Sequence, residues 1–286
     1  GAVLAMLDRN PDKKLSELKT ALPDAWTSLT MSPHCDDELK YGVLERIVKE
    51  YSDLAAAGGE ILGRKIVEAI TVNGGALTID IHEGDTRLFV PWQRKVTGTV
   101  RVYPEALNRA AFALDAHENH IWHCLAPCAR IEVRMTSPAS SWSGKAYLDH
   151  NRGAEPLETG FNTWHWSRAH LNEGALVCYE GERGDGSLFA SALRFGADGV
   201  PEPVDLPPIA QLPPSKWRVD RRTRSDIGVA EVRRTWEDTP FYARSELASR
   251  FAGEEVVAVQ ESLDMRRFSS QLVQFMLPYR MPRRAR

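Results

Sequence analysis

Two short segments of this 286-residue chain place acid–base and aromatic side chains two positions apart: His120 with Trp122, and Tyr147 with Asp149. Residues i and i+2 of a β-strand share a face, so each pair would present both members to one side. A carboxyl in an apolar, aromatic cavity holds its proton more firmly, because burial disfavours the charged form. At Asp149 such a group would serve as a general acid near neutral pH. A Tyr–Asp hydrogen bond that merely ties a strand end together fits the same spacing, and the spacing leaves both readings open. Trp142, Trp164 and Trp166 surround these pairs in the sequence. Their rings would either pack as core or shelter an apolar ligand and face a passing cation.

Other chemistry is less well supported. His117, His120, His123, Cys124 and Cys128 are donor types that zinc favours. Strand alternation would send His123 and Cys124 to opposite faces, and Pro127 interrupts the run, so a metal is not expected. No Gly-rich loop of the phosphate-binding kind follows a strand and opens a helix, and no Gly-x-Ser-x-Gly elbow occurs. A formal net charge of −3 builds no field that would gather nucleic acid. Arg280, Arg283, Arg284 and Arg286 make the C-terminal tail locally basic, which suits a solvated tail or a peripheral contact with an anionic membrane. Cys35, Cys124, Cys128 and Cys178 lack the dense spacing of a disulfide framework, so a reducing, cytoplasmic setting is expected. No apolar run approaches the ~20 residues that span a bilayer. The start, Gly1 to Leu7, lacks an initiating Met and reads as a fragment or a processed chain.

The elements that would position these residues are mostly strands. Residues 1–74 read as α/β: apolar residues recur at helical spacing from Val3 to Leu22, a helix is expected over 37–56, and Ile70 to Asn73 form a short strand. From Gly75 the period changes to two. Leu77, Ile79 and Ile81 alternate with polar residues, as do Val96, Gly98, Val100 and Val102, then Ile131, Val133 and Met135, then Trp142, Gly144, Ala146 and Leu148 on a packing face. Further strands are expected at about 175–180, 187–195, 228–236 and 255–262, with a hairpin turn at 182–186 and a proline-rich connector from Pro201 to Pro214. Phe268, Leu272, Phe275 and Met276 share one face of a closing helix. Many short strands of this kind favour an antiparallel barrel or sandwich.

Two resemblances add to this. The words Leu15–Leu18, Thr30–Cys35, Asp37–Val43 and Thr71–Gly74 resemble a fragment of the phosphomannomutase/phosphoglucomutase family, without that family's phosphoserine, metal or phosphate-clamp loops, so no mutase activity is expected. From about 76 to 282 the chain resembles the carotenoid 1,2-hydratase, or hydroxyneurosporene synthase, family. The resemblance rests on Val100–Leu107, Trp142–Gly144, Tyr147–Asp149 with Asn151 and Gly153, Glu155–Glu158, Trp166–Ala169, Trp217–Val219, Glu237–Arg244 and Met276–Pro282. It implies lipocalin-like β-barrel domains and cofactor-independent addition of water to the terminal double bond of acyclic carotenoids such as neurosporene and lycopene. It places the family's Tyr-x-Asp motif on Tyr147 and Asp149, with Asp149 the proton donor, and its His-x-Trp pair on His120 and Trp122; Trp142, Trp164 and Trp166 would line the substrate. The expected organisation is a mutase-like α/β segment over 1–74, the remainder of an incomplete first β-barrel over 75–158, and a second over 159–286. Two alternatives are a non-catalytic binder of an apolar ligand and an inactive fusion or truncation product.

Overall fold

The period-two stretches are strands in the computed structural model, which describes residues 26–31, 60–61, 64–73, 76–85 and 96–276. The helix expected over 37–56 and the helical spacing of residues 3–22 lie outside the described residues. In chain order the elements are β1 (Trp26–Met31), β2 (Glu60–Ile61), β3 (Arg64–Asn73), β4 (Ala76–Asp85), β5 (Val96–Pro104), β6 (Phe112–Ala113), β7 (His120–Ser137), β8 (Ala139–Gly153) and a single helical turn α1 (Leu157–Gly160). They continue with β9 (Phe161–His170), β10 (Ala175–Arg183), β11 (Leu188–Phe195), β12 (Pro201–Pro203), β13 (Ile209–Leu212), β14 (Arg221–Arg224), β15 (Glu231–Asp238), β16 (Tyr242–Phe251) and β17 (Glu254–Asp264), and end with α2 (Met265–Phe268) and α3 (Gln271–Met276). The protein is mainly β, and its pairings are antiparallel.

One sheet has the order β1-β8-β7-β5-β4-β3-β2, with β6 added to β7; a second has the order β12-β11-β10-β9-β17-β16-β15; β13 and β14 pair separately. Neither large sheet closes on itself among the described residues. The chain groups into two compact units, and both long strands β7 and β8 are divided between them. Of the described residues, one unit takes those within 26–109 and 124–150; the other takes 110–123 and 151–276. In the first unit Leu77, Val102, Leu125, Ile131, Val133, Ala146 and Leu148 form the core. In the second, Leu176, Leu212, Leu247, Phe251 and Val256 form another. Each large apolar side chain so buried contributes about 1.5–3 kcal/mol, which fixes the register of strands whose other face is polar.

Three local features differ from the sequence expectation. Pro127 does not interrupt β7. β6 pairs with it only at Ile121 and Trp122, and β5 only from Ala129 onward. Between these, the strand offers carbonyls: Cys128 and Leu125 accept from the Glu105 and Asn108 amides at 3.0 and 2.9 Å, and Cys124 accepts from the Asn108 side chain at 2.9 Å. A missing N–H there breaks no bond to either strand. The closing helix is two short pieces split at Ser269-Ser270, which resets its phase. Phe268 and Val273 are buried, whereas Leu272 and Phe275 face outward at 69% and 68% exposure. Within the proline-rich connector, β12 is an edge strand, the position where a proline costs no ladder bond.

The second unit also buries charge. Glu180 on β10 accepts from Arg222 Nε at 2.9 Å and from Arg224 Nε at 2.8 Å, with Arg224 Nη2 close by. Removing one partner of a buried ion pair leaves the others unsolvated. Glu180→Ala should therefore cost about 3 kcal/mol, read as a lower urea midpoint. A change indistinguishable from zero would mean that both arginines turn to solvent.

Candidate active site

β8 carries the proposed acid. Its residues 139–143 are exposed, and then Ala146, Tyr147, Leu148, Asp149 and His150 are buried in succession. Alternation is lost because both faces are covered: Ala146 and Leu148 enter the core of the first unit, and the opposite face, Tyr147 and Asp149, is covered as well. Tyr147 is 0% and Asp149 3% exposed. The Tyr147 hydroxyl donates to Asp149 Oδ2 at 3.0 Å, so the same-face expectation for this pair is realised as a hydrogen bond. With Oδ2 accepting from a neutral phenol, a proton on this carboxyl belongs on Oδ1.

Trp142 stands in the exposed, turn-proximal half of β8 at 46% exposure, so it does not share the packing role of Ala146 and Leu148.

His120 and Trp122, at the start of β7, belong to the second unit with Trp164 and Trp166. There they meet an aromatic cluster. Trp122 packs perpendicular to Tyr179 at 5.6 Å between ring centres and beside Phe112 at 5.5 Å. Tyr179 also meets Trp164 and Phe189 edge to face, and Phe161 bridges His120, Trp164 and Phe189. Edge-to-face contacts set the positive edge of one ring against the negative face of the next.

Tyr179, Phe161 and Phe189 are not apparent as site residues in the sequence. The signal available for Tyr179 was its strand phase, since β10 sets it directly opposite Trp166 on β9.

His120 itself is held by its neighbours. The Asp115 carboxylate accepts from the backbone amides of His117 (2.9 Å), Asn119 (3.1 Å) and His120 (2.7 Å). Burial alone would raise the Asp115 carboxyl. The amides of Asn119, His120 and His117 outweigh it, with help from the His120 charge, and hold it below its ordinary value. This loop therefore sets the backbone from which the imidazole projects. Among the described residues no group of three or more His, Cys, Asp or Glu side chains is placed to hold a metal ion. Cys124, Cys128 and Cys178 are buried.

The protein thus buries a carboxyl under a tyrosine hydroxyl in one unit and a histidine beside an aromatic ring in the other. The chain belongs to the carotenoid hydratase CrtC family, whose model matches residues 66–286, starting inside β3 and so upstream of Ala76. It is 46% identical over 216 residues to the acyclic carotenoid 1,2-hydratase of Thiocapsa roseopersicina, covering 75% of this chain and 52% of that protein. It is 44% identical over 216 residues to that of Rubrivivax gelatinosus, covering 74% and 52%. With the Rhodobacter capsulatus enzyme it shares 34% identity over 219 residues, covering 76% of each chain. The chain thus spans about half the length of the first two relatives. Among solved structures, CghA aligns with a TM-score of 0.44 at 9% identity over 70% of each chain.

Proposed function

We propose that this chain carries out acid-initiated hydration of the terminal C=C bond of an acyclic carotenoid such as neurosporene or lycopene. The observation that carries the proposal is the buried Tyr147–Asp149 hydrogen bond, with the hydratase activity named for the relatives behind it. An alkene is a very weak base, so its proton donor must be desolvated and well aimed. Asp149 Oδ1 gives its proton to the less substituted alkene carbon, and the positive charge falls on the tertiary carbon. We assign Trp122 and Tyr147 to the stabilisation of that charge, and Trp142, Trp164 and Trp166 to the polyene. Water adds to the cation and loses a proton to His120, acting as general base. The net reaction adds the elements of water without exchanging electrons with another reagent, so it needs no redox cofactor.

Among the described residues no helix is long and apolar enough to cross a membrane. A polyene resides in the bilayer, and we assign the encounter to peripheral contact at the membrane surface, with the arginines of the C-terminal tail as its electrostatic component.

Incubation with lycopene or neurosporene in detergent or vesicles, in water enriched in ¹⁸O, should yield a tertiary alcohol carrying one labelled oxygen per hydrated end. A folded protein that retains the polyene and forms no alcohol would instead be a binder of apolar ligands, and the hydratase reading would fall.

A further inference from the structure

His120 is 3% exposed, and its Nε2 has no hydrogen-bond partner among the described residues. A buried polar atom left in this way costs free energy, and so points to a use. The ring has little freedom to find another partner. A Cβ at Gly153 would lie 2.6 Å from Nδ1, and one at Gly160 would lie closer still to Nε2, so only glycine admits the imidazole between these two backbones. Phe161 closes another side, with its ring centre 4.8 Å away. The polar atom that Nε2 does face is Glu155 Oε1, at 3.5 Å, where no hydrogen bond closes. That oxygen is itself oriented by Asn119 Nδ2 at 3.4 Å, and the Ala154 amide donates to the Asn119 carbonyl at 2.7 Å. The segment carrying Glu155 is therefore tied to the loop that precedes His120.

We infer that Glu155 is a positioning residue: its carboxylate holds the His120 proton on Nε2, leaving Nδ1 as the base. This rests on the reading of His120 as the group that receives the proton of the adding water. As the C–O bond forms at the tertiary cation, one O–H bond of that water breaks and its proton passes to Nδ1. The resulting imidazolium carries its charge beside the Glu155 carboxylate, where the 3.5 Å gap closes to a charge-assisted hydrogen bond. The proton then returns through solvent to the carboxylate of Asp149, which gave one to the alkene at the start. Alkene and water are consumed, alcohol is formed, and both groups are reset. The arrangement follows the general logic by which a carboxylate fixes the tautomer of a catalytic histidine.

The test has one readout that needs no turnover. Imidazole ¹⁵N correlation spectra of the ¹⁵N-labelled chain, with the His120 signal assigned by its loss in His120→Gln, should show the Nε2–H tautomer in the wild type and a mixture of tautomers in Glu155→Ala. The second readout is kinetic: Glu155→Ala should lower kcat by up to about 10²-fold with KM unchanged, and Glu155→Asp should recover part of the loss. Thermal midpoints of both variants near that of the wild type separate positioning from a folding defect. Unchanged His120 spectra in Glu155→Ala overturn the inference, whether or not the chain hydrates carotenoids. An active wild type whose Glu155→Ala variant keeps its full kcat overturns it as well. Absence of hydration by the wild type, with the tautomer shift present, counts against the hydratase reading and leaves the assignment of Glu155 supported.

Discussion

Asp149→Asn should lower the hydration rate by about 10²–10⁴-fold, the usual contribution of a positioned general acid, while the sheets stay intact. The change preserves shape and an acceptor for the Tyr147 hydroxyl, which now reaches Asp149 Oδ2 at 3.0 Å. What it removes is the transferable proton, since an amide N–H is no acid at any pH the protein survives. The price in stability is limited to the new N–H donors, which need partners in a place where Asp149 is 3% exposed; a buried donor left without one costs about 1–3 kcal/mol. Circular dichroism and a urea midpoint measure that part, and product formation measures the other. Tyr147→Phe separates the two components of the pair. It deletes the donor and keeps the acid, so its loss should be smaller than that of Asp149→Asn. If Asp149→Asn turns over at the wild-type rate, the proton comes from elsewhere and the Tyr147–Asp149 bond is structural.

That pair was legible in the sequence because its logic is local. Two residues on one face of one strand need no tertiary information, and the same holds for the strands that alternate cleanly, β4, β5 and the second half of β7. Legibility fails where a strand is covered on both faces. In β9 the residues from Trp164 to Ala169 are all buried, so a run that is half polar shows no period to read. The same is true of β7 from Cys124 to Ala129, which is buried throughout and carries Pro127 without a break.

The site beyond the two pairs was hidden for a different reason. Tyr179 reaches Trp122, and Gly153 and Gly160 clasp His120, through pairings between segments far apart in sequence. Gly153 and Glu155 were visible as words of a motif, but what they do for an imidazole on another strand is a property of the fold. The closing helix shows the limit of periodicity itself, because a two-serine break was enough to turn Leu272 outward and bring Val273 in.

Acid should destabilise the protein through a histidine that the chemistry does not use. His165 on β9 lies between Glu180 on β10 and Ser262 on β17 in one cross-strand row. Its Nδ1 is 2.7 Å from Ser262 Oγ, and that oxygen already accepts from Gln260 Nε2 at 2.6 Å. The Ser262 oxygen has one proton to give and a second lone pair to accept with, so it pairs with Nδ1 in either tautomer of the neutral ring. Burial first, and the Arg222 charge second, push the His165 pKa from 6.5 down to about 3. Because the folded value is depressed, the stabilisation of the neutral ring is fully present above pH 6.5. It is lost as pH falls, since the unfolded chain takes up a proton that the folded chain refuses. Each pH unit below the unfolded value costs about 1.4 kcal/mol, so about 2 kcal/mol is lost by pH 5. The loss continues down to the folded pKa, where the ring protonates and places a charge beside Arg222. Urea unfolding at pH 7 and pH 5 reads this directly: the wild-type free energy should fall by about 2 kcal/mol more than that of His165→Gln, whatever the variant costs at pH 7. Equal falls in the two proteins would show that His165 titrates in the fold as it does in water, and the row from Glu180 to Ser262 would then have to be open to solvent.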